Sequence, residues 1–274
     1  MLSTYILSVL FGLFIFFLLY LFAIMPTLRK PENLKDLSKY HLYAHRGLHN
    51  NASNAPENSL AAVRNAIQCN YGIEIDVQLT KDLVPVIFHD FNLKRICGID
   101  ARLSNLTWKE IQTFQLFHSG ERIPSLAEVL EEVNGQIPII IEFKQEEHST
   151  QICEVSDQLL FSYQGEYCIE SFNPIVLFWY RKNRPEIVRG QLSSDFRREG
   201  DSTPALFVIK HLLLNFLTKP NFIAYNCMYK NSLSRKLCHR LYKNLAVAWT
   251  IYSKEELDAN SSSFDWFIFE GFLP

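Results

Sequence analysis

Five short polar groups carry the chemistry this chain can offer: His45-Arg46-Gly47, Pro56-Glu57-Asn58-Ser59, Glu74-x-Asp76, His89-Asp90 and Glu142-x-Lys144. Each stands at or beside the end of an apolar run. Together they supply two histidines, a carboxylate cluster and two cations. Carboxylate oxygens suit one hard divalent ion, Mg²⁺ or Ca²⁺, better than zinc. Two imidazoles facing one phosphorus can divide the proton transfers: one takes a proton from the nucleophile and the other gives one to the leaving oxygen. Arg46 and Lys144 suit phosphate oxygens, the first as a fork and the second as a point charge. The set is that of a metal-assisted phosphodiester cleavage. Any one motif alone is more often an ion pair or a solvated group, and that plainer reading goes to His41, His49, His118, His148, His211 and His239.

The elements that must position these groups follow from the apolar runs. Strands are expected at 41–44, 72–78, 137–143, 167–171, 187–192, 222–225, 245–251 and 266–269. Helical patterns lie between most of them, at 59–69, 125–134, 149–161, 174–182, 203–217, 232–242 and 254–260. Such alternation over roughly 240 residues predicts an α/β fold, a (β/α)8 TIM barrel. An open doubly wound sheet is the competitor, but no glycine-rich phosphate loop follows the first strand. Side chains alternate along a strand, so Glu74 and Asp76 share one face near its C-terminal end, where barrel sites are built. Glu142 and Lys144 bear the same relation to their strand. The run at 85–88 breaks the alternation. It follows too closely for a parallel crossover, so 78–79 and 84–88 should form an antiparallel hairpin that returns His89 to the barrel mouth.

The chain has 274 residues, of which 48% are hydrophobic, and a formal net charge of -2. That balance gives no reason to expect nucleic acid as a partner, and no feature implies an obligate protein partner. Residues 1–28 carry no charged side chain. The run is long enough to cross a bilayer and lacks the basic start and short apolar core of a cleaved signal. It predicts a single-pass membrane anchor (1–28), a linker (29–39) and one catalytic domain (40–274). Arg29, Lys30, Lys35 and Lys39 flank the anchor on its C-terminal side, which predicts a cytoplasmic domain. The six cysteines form no C-x-x-C pair and read as ordinary thiols. The apolar stretch 203–217 is too short to span; it is expected to pack on the sheet, with a second membrane-surface contact as the sharper alternative.

Read in order, the motifs resemble the glycerophosphodiester phosphodiesterase family: YAHRG (43–47), APENS (55–59), GIEIDVQLTKD (72–82), VPVIFHD (84–90), LTWKEI (106–111), IPSLAEVL (123–130), IIIEFK (139–144), SFNP (171–174) and AWT (248–250). The resemblance covers nearly everything after the anchor. It implies a TIM barrel with a small capping insertion, about 79–122. It implies Glu74, Asp76 and Glu142 as metal ligands, His45 and His89 as catalytic residues, and Arg46 and Lys144 at the phosphate. Trp249 would line the glycerol side, and Glu57 would be a hydrogen-bonding or metal-proximal carboxylate near His45. The implied reaction releases an alcohol and glycerol phosphate from deacylated phospholipid head groups. The anchor permits a variant acting on lysophospholipids at the bilayer. A catalytically silent barrel and an enzyme on the opposite side degrading glycerol-phosphate polymers are the rivals. Two departures stand out. Family members often end the last strand in Thr-Asp where this chain has Phe269-Glu270-Gly271, and an asparagine often stands where this chain has Tyr252. Neither is expected to touch the metal or proton-transfer groups; both should reshape the substrate pocket.

Overall fold

A computed structural model of the chain describes residues 2–29, 31, 34–145 and 149–274. Lys30, His148 and the side chain of Lys35 lie outside the described residues. The strands are β1 (Leu42–His45), β2 (Gly72–Leu79), β3 (Pro85–Ile87), β4 (Ile139–Phe143), β5 (Tyr167–Ser171), β6 (Arg189–Ser193), β7 (Phe222–Asn226), β8 (Leu245–Ile251) and β9 (Trp266–Phe269). All but β3 pair in parallel, in the order β1-β2-β4-β5-β6-β7-β8-β9, and β9 returns to β1. The sheet is therefore a closed eight-stranded parallel barrel, as the alternating pattern predicts.

Period-two alternation divides the strand residues between two cores. Tyr43, Ile140, Cys168, Phe222, Val247 and Trp266 fill the barrel interior. Ala44, Ile73, Ile75, Ile141, Ile169 and Ala248 face the surrounding helices. Glu74 and Asp76 have the parity of the inward set, which carries them up the interior to the mouth. Gly190 has a packing reason: a Cβ there would sit 2.0 Å from the Phe222 ring.

The hairpin forms as expected. Val77, Gln78 and Leu79 pair antiparallel with Ile87, Val86 and Pro85. The insertion behind it has its own small core, including Val86, Phe88, Leu93, Ile96, Leu103 and Ile111. Its start is tied to the short helix Trp108–Ile111 by Asp82, whose Oδ1 accepts from Thr80 Oγ1 at 2.7 Å and from the Trp108 backbone N–H at 2.8 Å. Thr107 and Glu110 form a capping box on the short helix Trp108–Ile111. The motifs around Thr80 and Trp108 thus hold structure.

One helical expectation breaks. The stretch 203–217 splits into Pro204–Lys210 and Asn215–Thr218. Leu212 between them is left-handed at φ 58° and fully buried. Asn215 is buried as well, and its Nδ2 donates to Ile24 O at 3.0 Å. Docking against the N-terminal helix, Leu2–Ala23, overrides the helical pattern here.

Candidate active site

The His45-Arg46-Gly47 turn is built by conformation as much as by chemistry. Arg46 and Gly47 are both left-handed, at φ 56° and 78°. A Cβ on Gly47 would lie 3.0 Å from the Ala62 Cβ, so only glycine fits against the helix Leu60–Gln68. Ser59 caps that helix by accepting from the Ala62 backbone. The turn aims the Arg46 backbone N–H at Glu74 Oε2, 3.1 Å away. The His45 ring follows β1 into the mouth, with its Nε2 3.9 Å from the same oxygen.

The other ring nitrogen corrects an expectation. His45 Nδ1 lies 2.6 Å from Glu270 Oε2, so Glu270 directly touches one of the proposed proton-transfer histidines. Its second oxygen stands 3.5 Å from His49 Nε2. Glu270 follows β9, adjacent to β1, and reaches the ring only because the barrel closes. Burial pulls the His45 pKa below its usual value, and the Glu270 carboxylate opposes that pull. Burial works against ionised Glu270, yet the hydrogen bond to His45 and the nearby His49 ring hold its pKa well below the carboxylate range. His49 therefore belongs to this network. Tyr252, the other departure, stands exposed at the rim.

The three acids meet. Asp76 pairs in register with Glu142, and ligand oxygens of Glu74, Asp76 and Glu142 all lie within 4.8 Å of one another, all on buried residues. Glu74 Oε1 and Asp76 Oδ1 are buried without a hydrogen-bond partner. Burial and the neighbouring Asp76 and Glu142 charges push Glu74 well above its usual pKa. Burial also raises Glu142. Burial would raise Asp76 too, but Lys144, His89, Arg46 and a hydrogen bond from Asn58 Nδ2 (2.9 Å) hold it ionised. Three crowded carboxylates with orphaned oxygens are what a divalent cation satisfies, so the triad can hold one. Lys144 Nζ lies 3.1 Å from Glu142 and 3.3 Å from Asp76, and Arg46 Nε 3.5 Å from Asp76. Both cations thus border the triad.

His89 is delivered by the returning hairpin. Phe88 N donates to Asp76 O, and Gln78 Nε2 donates to Phe88 O at 2.7 Å and Asp90 O at 2.9 Å. Those bonds pin the backbone on both sides of His89. Its Nδ1 lies 2.7 Å from Asp90 Oδ1, so each catalytic-candidate imidazole has a carboxylate behind it. Arg95 joins this arm to the Pro56-Glu57-Asn58-Ser59 loop. Its guanidinium bonds Glu57 through two nitrogens, at 2.9 and 2.7 Å, and Asp90 at 2.7 Å. Arg46 Nη1 and Asn51 Nδ2 also donate to Glu57, at 2.7 and 2.8 Å. Burial alone would raise Glu57, but the hydrogen bond from Arg95 and the charges of Arg46 and Arg95 bring it down to about 2. Asp90 is likewise brought to about 2 against burial, by Arg95 and His89. Glu57 spends its oxygens on two arginines and Asn51.

Across the mouth stands an aromatic wall. Phe172 packs edge-on against Trp249 at 5.7 Å and against Phe196 at 5.8 Å. Trp249 Nε1 is buried without a partner. On β5, Glu170 pairs in register with Glu142, and its Oε2 has no hydrogen-bond partner. Burial, with Glu142 and Asp76 nearby, raises Glu170 well above the usual range. Sequence reading missed Glu170, Glu270, His49, Asn58, Gln78 and Arg95. Strand parity was available for Gln78, two residues beyond Asp76, and Glu170 stands one residue from the end of its strand. Asn58 lies within the Pro56-Glu57-Asn58-Ser59 motif and Glu270 at the departure after the last strand, but neither signal names its partner; nothing local marks His49 or Arg95.

A family model described as the glycerophosphoryl diester phosphodiesterase family matches residues 45–257. Human glycerophosphodiester phosphodiesterase 1 is 26% identical over 248 residues, covering 82% of this chain and 73% of the human protein. A glycerophosphodiester phosphodiesterase of Bacillus altitudinis is 31% identical over 172 residues, covering 58% of this chain and 69% of its own. Among solved structures, an Oleispira antarctica phosphodiesterase in complex with its product sn-glycerol-3-phosphate superposes with a TM-score of 0.67 at 23% identity, covering 84% of this chain and 92% of that one. The family match runs from the first candidate histidine through all three acids of the triad, on the barrel described above, and the chain belongs to the glycerophosphoryl diester phosphodiesterase family, a family of phosphoric diester hydrolases.

Proposed function

We propose that this chain hydrolyses glycerophosphodiesters, the deacylated head groups of phospholipids, to glycerol phosphate and an alcohol, in a metal-dependent reaction. The observation that carries the reading is the convergence of Glu74, Asp76 and Glu142 within 4.8 Å, with His45 Nε2 3.9 Å from Glu74. Those three residues would hold one Mg²⁺ or Ca²⁺. Bound there, the ion supplies Lewis-acid polarisation of a phosphoryl oxygen and a template for the diester. Arg46 and Lys144 turn to the phosphate oxygens when substrate enters. Of His45 and His89, one takes a proton from the attacking water and the other protonates the leaving alcohol oxygen. Glu270 and Asp90 hold the two rings in orientation, and the Glu270 carboxylate favours the charged form of His45. Trp249 lines the glycerol side of the pocket.

Release of choline and glycerol phosphate from glycerophosphocholine, followed with Mg²⁺, with Ca²⁺ and with a chelator, tests the reading. Turnover that the chelator leaves intact would overturn the metal assignment. The wall of Trp249, Phe172 and Phe196 supports a second substrate class, lysophospholipids, because it offers an acyl chain an apolar path out of the mouth. The same assay with lysophosphatidylcholine in vesicles reads that class.

The N-terminal helix serves as a retained membrane anchor. Thr4–Ala23 is long and apolar enough to span, and none of it is buried. Its C-terminal end and the residue that follows dock on the barrel: Ile24 is fully buried and its carbonyl accepts from Asn215 and Cys238, while Tyr242 donates to Leu21 O at 2.9 Å. The flanking basic residues favour a cytoplasmic domain. A reporter fused to the C-terminus reads the side, and a lumenal or external signal would reverse it.

A further inference from the structure

We infer that the catalytic mouth is pressed against the bilayer, with the rim beyond β6 and β7 seated in the lipid interface. The inference rests on the membrane anchoring proposed above. It begins from where the N-terminal helix meets the barrel. At its C-terminal end the chain touches the floor: Thr27 N donates to the carbonyl of Pro220, which precedes β7, and Tyr242 at the end of helix Leu233–Arg240 holds Leu21. Higher up, Phe16, Phe17 and Tyr20 line one groove, of about 650 Å³, together with Asp195, Met228 and Leu233. Asp195 follows β6, and Met228 and Leu233 follow β7, so these residues belong to the mouth. The helix therefore climbs the barrel from floor to mouth as it runs toward its N-terminus, and leaves on the catalytic side.

The rim on that side has the side chains of a surface at the boundary of head groups and acyl chains. Phe207, Met228 and Leu233 are 57, 77 and 63% exposed. The exposed Arg198 lines the same groove as Met228 and Leu233 and is suited to lipid phosphates. Helix Pro204–Lys210 buries no residue fully, as a surface element lying on lipid would. Phe196, in the same β6 loop, begins the aromatic wall that ends at Trp249, so the acyl path runs from the bilayer to the site.

The test uses the full chain in phosphatidylcholine vesicles carrying lipid brominated near the head group. A tryptophan on the rim, Leu233→Trp, should be quenched strongly above the native tryptophan background. A tryptophan on the floor, Phe161→Trp, replaces a residue that is 76% exposed and should not be. Absence of extra quenching for Leu233→Trp, or equal quenching at both positions, overturns the inference. In the same vesicles the pair Met228→Asp and Leu233→Asp should lower turnover of embedded lysophosphatidylcholine at least tenfold relative to wild type, with turnover of soluble glycerophosphocholine unchanged. Equal loss on both substrates, or loss on neither, counts against it. A wild-type chain inert toward both substrates would defeat the reaction proposed above, and the quenching comparison would still decide the orientation.

Discussion

His45 and His89 share a design: an imidazole in the mouth, a carboxylate at 2.6 or 2.7 Å behind it, and in front a triad of acids that could hold a metal ion. Replacing either histidine by alanine should lower kcat by about 10²- to 10⁴-fold, the usual worth of a positioned proton-transfer group, with the circular dichroism spectrum unchanged. Glu270→Gln should also lower kcat, by up to about 10⁴-fold, because it removes the charge that orients and stabilises His45 even though the ring remains. A Glu270→Gln enzyme of full activity would return Glu270 to the role of a pocket-shaping residue. At the triad, Glu74→Ala should weaken metal binding by titration calorimetry. Adding Mg²⁺ or Ca²⁺ to the wild type should raise Tm, since the ion binds only where folding brings the three acids together, and the variant should lose most of that rise.

The hairpin β2–β3 and the insertion behind it decide where His89 stands. Gln78 fixes that arm by donating to two carbonyls, those of Phe88 and Asp90. Gln78→Ala leaves both acceptors unpaired in a largely buried place, which should cost about 2 kcal/mol or more in urea unfolding. It should also lower kcat while leaving metal affinity near that of wild type, since Gln78 touches no acid of the triad. An unchanged kcat would mean that Arg95 alone holds the arm. Arg95 clamps Glu57 to Asp90 and so joins the first loop to the insertion.

Across the whole molecule that clamp has a pH signature. Glu57 and Asp90 both titrate near 2 in the folded chain, below their ordinary values. Both depressed acids contribute stability that is present above the unfolded pKa, about 4, and lost as pH falls toward 2. Tm should therefore drop between about pH 4.5 and 2. Glu57→Gln should be less stable at neutral pH and show a shallower fall over that window. A variant with the same slope as wild type would place the acid sensitivity elsewhere.

The chain's own order of residues determined the fold class and most of the site. Alternating runs set eight parallel strands, and a gap too short for a crossover set the hairpin. Parity along β2 and β4 put Glu74, Asp76, Glu142 and Lys144 on one side. These properties are local, arising from pleat, helix period and loop length. What remained came from closure. Glu270 meets His45 only because β9 lies beside β1, across 225 positions of sequence. Glu170 joins the acid row by register with Glu142, and Arg95 reaches back 38 positions to Glu57. The same limit explains the split at Leu212, where an apolar pattern that reads as one helix yields to docking against Ile24. Sequence periodicity records which way a side chain points from its own element. Which distant carboxylate it will find there is settled only when the barrel closes and the desolvated charges must be paired.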